Sequence, residues 1–187
     1  MRERKARPAR RMTGAVAIAA VCCAPVLNVP QARAAQVLPA AVGARPKKGA
    51  RLGQIRIKRM HLKADVRQGV GKAVLRRAVG HYPGTGVPGR DGNTVLLGHR
   101  TTWLHPFNKL DRMRRGDRIV LRWRDTTYVY RVRTKRVIDP RDRRALEPVP
   151  FKRHSAPRGQ YVTLITCAPK GSDRRRLVVV GKLQPRR

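Results

Sequence analysis

Acidic and aromatic residues are both scarce in this chain of 187 residues. It contains 10 Asp and Glu against 45 Lys and Arg, and its aspartates are scattered without the spacing of a calcium-binding loop. We therefore expect no metal site and no cofactor. Aromatic residues make up 4% of the chain, whereas proteins that bind single-stranded nucleic acid stack the bases on clustered aromatic side chains. Specific nucleic-acid binding is not expected.

The deficit of acidic residues leaves a formal net charge of +35. Basic residues occur along the whole chain, so this charge is not confined to a detachable tail. Self-repulsion of this size favours an environment rich in anions. The expected partners are anionic membrane lipids or anionic wall polymers, although a diffuse excess of arginine is also typical of an ordinary solvated surface.

The N-terminal segment has the pattern of an export signal. Met1–Arg11 is a basic arm, and Met12–Val29 carries no charged residue. Such a segment directs the following chain across the membrane while its basic flank stays in the cytoplasm. Its strongly apolar part is shorter than the ~20 residues of a membrane span, but the whole uncharged run approaches that length. A cleaved signal peptide and an uncleaved anchor both stay open.

Three regions follow from this pattern. Residues 1–35 form the basic arm with the signal or anchor segment, and residues 36–50, rich in Pro, Gly and Ala, form a linker. Residues 51–187 form the globular domain. We expect this domain at the extracytoplasmic face of the cell membrane, or in secreted form if the segment is cleaved.

Cysteine is rare as well, with three residues in the chain. Cys22 and Cys23 are neighbours in the N-terminal segment, and adjacent cysteines rarely form a relaxed disulfide. Cys167 therefore has no disulfide partner in the exported part. A free thiol there is either a small buried hydrophobe or a reactive group, and its position alone leaves both interpretations open.

Long helical patterns are absent from the globular region, and this disfavours a parallel α/β sheet. Short runs of β-branched and apolar residues predict strands at Leu52–Ile57, Asn93–Gly98, Arg118–Trp123, Thr127–Arg133 with a continuation to Ile138, Gln160–Cys167 and Leu177–Leu183. The stretch 81–89 is predicted to be a loop, and 72–79 a single helical turn. About seven or eight short strands indicate a mainly β domain, either a barrel or a sandwich.

Two of these predicted strands end at residues with catalytic chemistry. His99 follows one strand and Cys167 ends another, and an imidazole near a thiol can stabilise the thiolate or transfer a proton to the leaving group. A nearby cation would stabilise a developing oxyanion, and residues 174–176 supply three arginines. Arg176 directly precedes the last predicted strand and is best placed among them. His105 competes with His99 as the base.

The residues around these positions resemble the motifs of sortases, the cysteine transpeptidases of Gram-positive cell surfaces. The stretch Thr163–Cys167 resembles their Thr-Leu-x-Thr-Cys signature. His81–Thr85, Gly98–Thr102 and Pro106–Leu110 resemble the blocks around the family's catalytic histidine, and Arg176–Val179 resembles the start of its last strand. These motifs are most similar to those of class E sortases.

This resemblance implies a closed barrel of about eight strands with one or two short helices. It also implies a reaction in which Cys167 attacks the Thr-Gly bond of a C-terminal sorting signal, of the Leu-Ala-x-Thr-Gly or Leu-Pro-x-Thr-Gly type, on an exported protein. The resulting thioacyl enzyme is resolved by an amine from a peptidoglycan precursor.

The resemblance assigns roles to individual residues. It implies that His99 is the general acid and base and that Arg176 holds the oxyanion and the substrate. It further implies substrate contacts by Thr166, Thr101 and Thr102. No metal ligand is implied.

Two other classes of protein stay open. A cysteine transpeptidase that cross-links peptidoglycan at D-centres also uses His and Cys, but its Ser-x-Gly-Cys stretch is absent from this sequence. The second alternative is a non-enzymatic basic β-barrel that binds an anionic cell-surface polymer or nucleic acid.

Overall fold

The fold is known from a computed structural model, which describes residues 46–185. Eight strands make up most of the regular structure in this region. The short helical segments are an α-helix, α1, at Lys72–Leu75 and 3₁₀ turns at Lys58–Met60, Leu110–Arg112 and Arg143–Leu146. The strands are β1 Arg51–Ile57, β2 Leu62–Gln68, β3 Val79–His81, β4 Gly92–Leu97, β5 Arg118–Trp123, β6 Thr126–Ile138, β7 Gln160–Ala168 and β8 Arg175–Leu183.

The strands close into a barrel in the order β1-β2-β3-β4-β7-β8-β6-β5. The mainly β closed barrel expected from the sequence is confirmed. Most neighbouring strands are antiparallel, but β2 pairs with β3 and β4 pairs with β7 in parallel. The absence of long helices correctly excluded an α/β sheet but did not indicate these parallel pairs.

The structure differs from the sequence expectations at several elements. β2 and β3 were not predicted, because β2 carries charged residues and is only half-buried, while β3 has three residues. His81 belongs to β3 and is not part of the predicted loop. β7 continues beyond Cys167 to Ala168, and β8 begins at Arg175, two residues before the predicted start at Leu177.

Apolar residues form two clusters that follow the alternation of side chains along the strands. The barrel interior holds the larger cluster, which includes Leu164 and Val179. On the outer face of β4, β7 and β8 lies a second set of buried residues, here called the outer cluster, composed of Val95, Ile165, Val178, Val180 and Ala145. The outer cluster shows that this side of the barrel is covered by the chain between β6 and β7, which supplies Ala145.

Asn93 fastens that covering segment to the barrel. Its buried amide donates hydrogen bonds to the carbonyls of Ala145 and Glu147, at 2.9 and 3.0 Å. Thr163 on the neighbouring strand donates from its hydroxyl to Asn93 Oδ1, at 2.7 Å. Because Asn93 is only 1% exposed, water cannot easily replace these bonds.

The start of the described chain already contacts the barrel. Gly49 donates its backbone N–H to the carbonyl of Gln68, at 2.8 Å, and Gln68 donates to the carbonyl of Ala50, at 2.9 Å. Regular pairing thus begins at the end of the predicted linker. The predicted basic arm and signal or anchor segment, and the linker up to residue 45, lie outside the described residues. Within residues 46–185 there is no helix with the length and hydrophobicity needed to span a membrane.

We predict that Asn93→Ala lowers the free energy of unfolding by about 2–3 kcal/mol, because two buried carbonyls and a hydroxyl lose their partner. Chemical denaturation of the purified protein measures this change. Asn108→Ala is the matched control, since Asn108 forms one exposed side-chain hydrogen bond with Lys170. Equal losses in the two variants would contradict the assigned role of Asn93.

Candidate active site

The three residues expected to carry the chemistry lie in one row across the outer face of the sheet. Leu97 on β4 pairs with Ile165 on β7, which pairs with Val178 on β8. Side chains that are directly opposite in a sheet point to the same face, and positions two residues apart share that face. The next row beyond the outer cluster therefore consists of His99, Cys167 and Arg176.

The contact between β4 and β7 sets the position of His99. Gly98 donates its backbone N–H to the carbonyl of Ile165, at 3.2 Å. The hydroxyl of Thr166 donates to the carbonyl of Gly98, at 2.7 Å, although the two residues are 68 positions apart. These two bonds continue the pairing of β4 with β7 as far as Gly98. The next residues along the two strands, His99 and Cys167, therefore lie side by side.

Gly98 has no room for a side chain. A Cβ atom there would lie 2.8 Å from Phe107 Cδ2 and 2.9 Å from Pro106 Cγ. Phe107 is fully buried and donates its backbone N–H to the carbonyl of His99, at 3.2 Å. The loop after His99 thus returns to pack against the strand end and fixes the histidine backbone.

Cys167 is held from its backbone by Arg100. This arginine is 6% exposed, and its Nη1 donates to the carbonyl of Cys167, at 3.1 Å. Its Nε donates to the carbonyl of Asn108, at 3.1 Å, and its Nη2 lies 3.1 Å from a carboxylate oxygen of Asp111. A buried guanidinium with three partners is a rigid brace, so it fixes the cysteine backbone while the half-buried side chain remains accessible.

The imidazole of His99 is covered by an aromatic ring. The rings of His99 and Trp103 have centroids 4.5 Å apart, and the guanidinium of Arg76, just after α1, lies 5.1 Å from the centroid of the Trp103 ring. Within residues 46–185, Nε2 of His99 is buried without a hydrogen-bond partner. Burial lowers the pKa of His99 from its ordinary value, which favours the neutral imidazole, the form that can accept a proton.

Arg176 is distinguished from its two neighbours by strand register. It pairs directly with Cys167, whereas Arg175 pairs with Ala168 and points to the opposite face. Arg174 precedes the strand and is exposed. The Nη1 of Arg176 donates to the carbonyls of Asp173 and Arg175, at 2.6 and 3.1 Å. These bonds anchor the guanidinium at the edge of the row that contains the thiol.

Comparison with known proteins agrees with this arrangement. The family model for the sortase domain matches residues 55–184, which is more than half of the chain. The chain belongs to the sortase family. The match begins within β1 and ends after β8, so it covers the whole barrel.

Named sortases are similar to the chain both in sequence and in structure. Sortase SrtE1 of Streptomyces coelicolor is 32% identical over 137 residues, covering 69% of this chain and 39% of that protein. Sortase E from Streptomyces avermitilis superposes with a TM-score of 0.67 at 31% identity, covering 75% of this chain and 91% of that one. The SrtA sortase from Actinomyces oris superposes with a TM-score of 0.70 at 27% identity, covering 75% of this chain and 83% of that one. The expected likeness to class E is confirmed.

The chain spans only part of the length of its curated relatives. It covers 39% of SrtE1 and 37% of Sortase SrtE2, also of Streptomyces coelicolor, to which it is 35% identical over 95 residues. The comparison therefore concerns the sortase domain, which is the region that holds the row of three residues.

The other sequence candidates have different surroundings in this sortase. Thr101 and Thr102 are exposed in the loop that follows His99. Thr166 is 3% exposed and its hydroxyl is bonded to Gly98, so its described role is to join the strands that carry the site. His105 is exposed in the same loop and lies off the strand ends. His81 is buried, and its ring nitrogens lie 2.9 Å from Gln68 Oε1 and 3.0 Å from the carbonyl of Gly86.

Sequence reasoning missed the residues that hold the site in place. Arg100 was part of a recognised motif but had no assigned role, and its contact with Cys167 joins positions 67 residues apart. Trp103 and Arg76 were not connected with His99, because their stacking depends on how α1 meets the loop after β4. The alternation of side chains, which turns Arg100 inward when His99 points outward, was a sequence signal for a buried arginine that was not used.

We predict that Trp103→Ala raises the pKa of His99 toward its ordinary value. The ring shields the imidazole from water, and renewed hydration favours the charged form. A nuclear magnetic resonance titration of the His99 ring measures the shift.

Leu104→Ala is the control for this prediction, because Leu104 is the neighbouring residue and is 61% exposed. An unchanged titration of His99 in the Trp103 variant, or an equal rise in the Leu104 variant, would show that the tryptophan does not control the hydration of the imidazole.

Proposed function

We propose that this sortase is a cysteine transpeptidase that cleaves the Thr-Gly bond of a C-terminal sorting signal and joins the product to an amine. The signal is of the Leu-Ala-x-Thr-Gly or Leu-Pro-x-Thr-Gly type. The observation that carries the proposal is the row formed by His99, Cys167 and Arg176 at the end of the outer cluster. Membership of the sortase family supports it.

The acylation step uses each member of the row. Neutral His99 accepts the thiol proton of Cys167 while the sulfur attacks the threonine carbonyl carbon. The oxyanion that forms is stabilised by the guanidinium of Arg176, which lies directly opposite Cys167 across β7 and β8. The protonated imidazole then gives its proton to the glycine nitrogen, the C–N bond breaks, and a thioester on Cys167 remains.

The second step reverses this sequence with a new amine. The amine nitrogen attacks the thioester carbonyl, and His99 accepts the proton that this nitrogen loses. When the C–S bond breaks, the proton returns to the sulfur, so the free thiol and a new amide are formed. The neutral state of His99, favoured by its lowered pKa, is the state that both attacks require.

The outer cluster supports binding of an apolar peptide next to the thiol. Leu97, Ile165 and Val178 occupy the row that directly precedes the catalytic row. The segment between β6 and β7, held by Asn93, covers this face. Leu97 is half-buried in this row and suits contact with the leucine end of a sorting signal, because burial of an apolar side chain stabilises the complex by about 1.5–3 kcal/mol.

The proposed partners and location follow from the same function. The substrates are exported proteins with sorting signals, the acceptor is an amine of a peptidoglycan precursor, and the enzyme works at the extracytoplasmic face of the membrane, held there by its N-terminal segment or secreted after cleavage. Anionic membrane lipids or wall polymers provide the surroundings that a net charge of +35 favours. The non-enzymatic alternative is not favoured by the family match.

Mass spectrometry of the purified protein incubated with each of the two peptide types tests the reaction. We expect an acyl adduct on Cys167 with one or both peptides, accompanied by release of the Gly-containing fragment, and loss of the adduct when a glycine-based amine is added. Cys167→Ala is expected to abolish the adduct. Cleavage that persists in this variant, or an absence of adduct with both peptides, would contradict the proposed function.

A comparison of neighbouring arginines tests the role of Arg176. We expect Arg176→Ala to lower the rate of adduct formation by roughly 10²- to 10³-fold, the effect typical of removing one oxyanion-stabilising group. Arg174→Ala is the matched control, because Arg174 is exposed and precedes the strand, and its rate should stay near that of the unsubstituted protein. A larger loss for Arg174 than for Arg176 would reverse the assignment.

A further inference from the structure

A set of cations covers the barrel on the side away from the catalytic row. Ile55 and Ile57 of β1 point inward, and so do Ile119 and Leu121 of β5. Their neighbours therefore point outward. We use the name basic face for Lys63 on β2, Arg56 on β1, Arg118 on β5, Arg131 on β6 and Lys58 directly after β1.

The basic face contains like charges that oppose each other directly across strands. Arg56 pairs with Lys63, and Arg118 pairs with Arg131. Like charges in such positions destabilise a sheet. Among residues 46–185, these four side chains form no ion pair with a carboxylate. The repulsion is therefore not relieved within the described domain.

The acidic residues beside the face are already paired with other arginines. Asp117 forms an ion pair with Arg59, and Asp65 lies 3.2 Å from Arg51. Arg131 donates to neutral groups, the side-chain oxygen of Gln184 at 3.0 Å and the carbonyl of Gly116 at 2.9 Å. These contacts orient the guanidinium without neutralising it, so its charge remains available to an external anion.

Two adjoining grooves run through the basic face. One has a volume of about 760 Å³, and its lining residues are Arg56, Lys58, Arg59, Asp117, Arg118, Val120 and Arg131. The other, about 430 Å³, shares Arg56 and Lys58 and adds Lys63. The two grooves share Arg56 and Lys58 and together present cations from four strands, and this pair of grooves is called the basic track.

The strand order separates this track from the active site. β1 and β5 are adjacent in the closed barrel, and β7 lies on the opposite side of the strand order from β1. A ligand on the basic face therefore leaves the surface around Cys167 open. We infer that the basic face binds a linear polymer with repeated phosphodiester groups, which docks this domain while its active site stays accessible.

The shape of the surface favours a polymer over a flat lipid bilayer. The cations line grooves on a curved barrel wall, and a chain with spaced phosphates can follow such a track. The large exposed hydrophobic residues, Val87, Trp103, Leu104 and Val137, lie outside the face, so it offers no large apolar side chain for insertion between lipids. The inference does not depend on the proposed catalysis.

Binding of the full chain to inorganic polyphosphate, measured over a range of salt concentrations, tests the inference. We expect R56Q/R118Q to bind about tenfold more weakly at low salt, with the slope of log K against log salt reduced by about two, because two phosphate contacts are lost. R56K/R118K keeps both charges and should bind nearly as well as the unsubstituted protein. R90Q/R141Q is the matched control, since it removes the same charge from exposed positions that do not line the two grooves.

Three results would overturn the inference. Equal weakening in R56Q/R118Q and R90Q/R141Q would show that only net charge matters. Weak binding by R56K/R118K in a protein that keeps the circular-dichroism spectrum of the unsubstituted chain would show that charge is not the cause. Binding to phosphatidylglycerol vesicles that depends on Arg56 and Arg118, without such dependence for polyphosphate, would assign the face to membranes. Acyl-adduct formation on Cys167 in every variant checks folding, and its failure in all of them would count against the proposed function alone.

Discussion

The parallel pairing of β4 with β7 is the interaction on which the site depends. It has no turn to set its register, because the strands are far apart in the sequence, so the register is set by buried side chains and by hydrogen bonds at both ends. Asn93 and Thr163 join the strands near their start, and Thr166 joins β7 to Gly98 at the end. A slip by one residue would turn every side chain to the other face, and the histidine would leave the row of the thiol.

Much of the fold could be predicted because most strands have a clear alternation. β5 carries three buried apolar residues at every second position, and β7 and β8 are rich in β-branched residues, so their positions were predicted to within a few residues. β2 and β3 could not be predicted. β2 turns Leu62, Ala64 and Val66 toward the core, but Ala64 is small and charged residues lie between them, so the apolar pattern is weak. The short β3 includes Gly80, whose missing side chain permits the backbone of Gly69 to approach.

The catalytic candidates could be named from the sequence, since a cysteine and a histidine that end strands stand out by residue type alone. The residues that support them could not. Arg100 resembles many other arginines in so basic a chain, and its burial results from three contacts that the fold creates. Trp103 adopts a positive φ of 50°, a backbone conformation that its residue type does not suggest. The roles of the supporting residues are thus set by tertiary structure, and the residue types alone do not indicate these roles.

His99 and Cys167 lie far apart in the sequence, and this separation determines when during folding the thiol becomes reactive. Cys167 and the carbonyl-binding Arg100 are 67 residues apart, and the strands that carry thiol and imidazole become neighbours only when the barrel closes. A chain that is still being synthesised, or is unfolded, contains a sulfur nucleophile without its base or its cation. In the proposed mechanism, barrel closure is therefore the step that activates the thiol, and an incompletely folded molecule does not react with peptides.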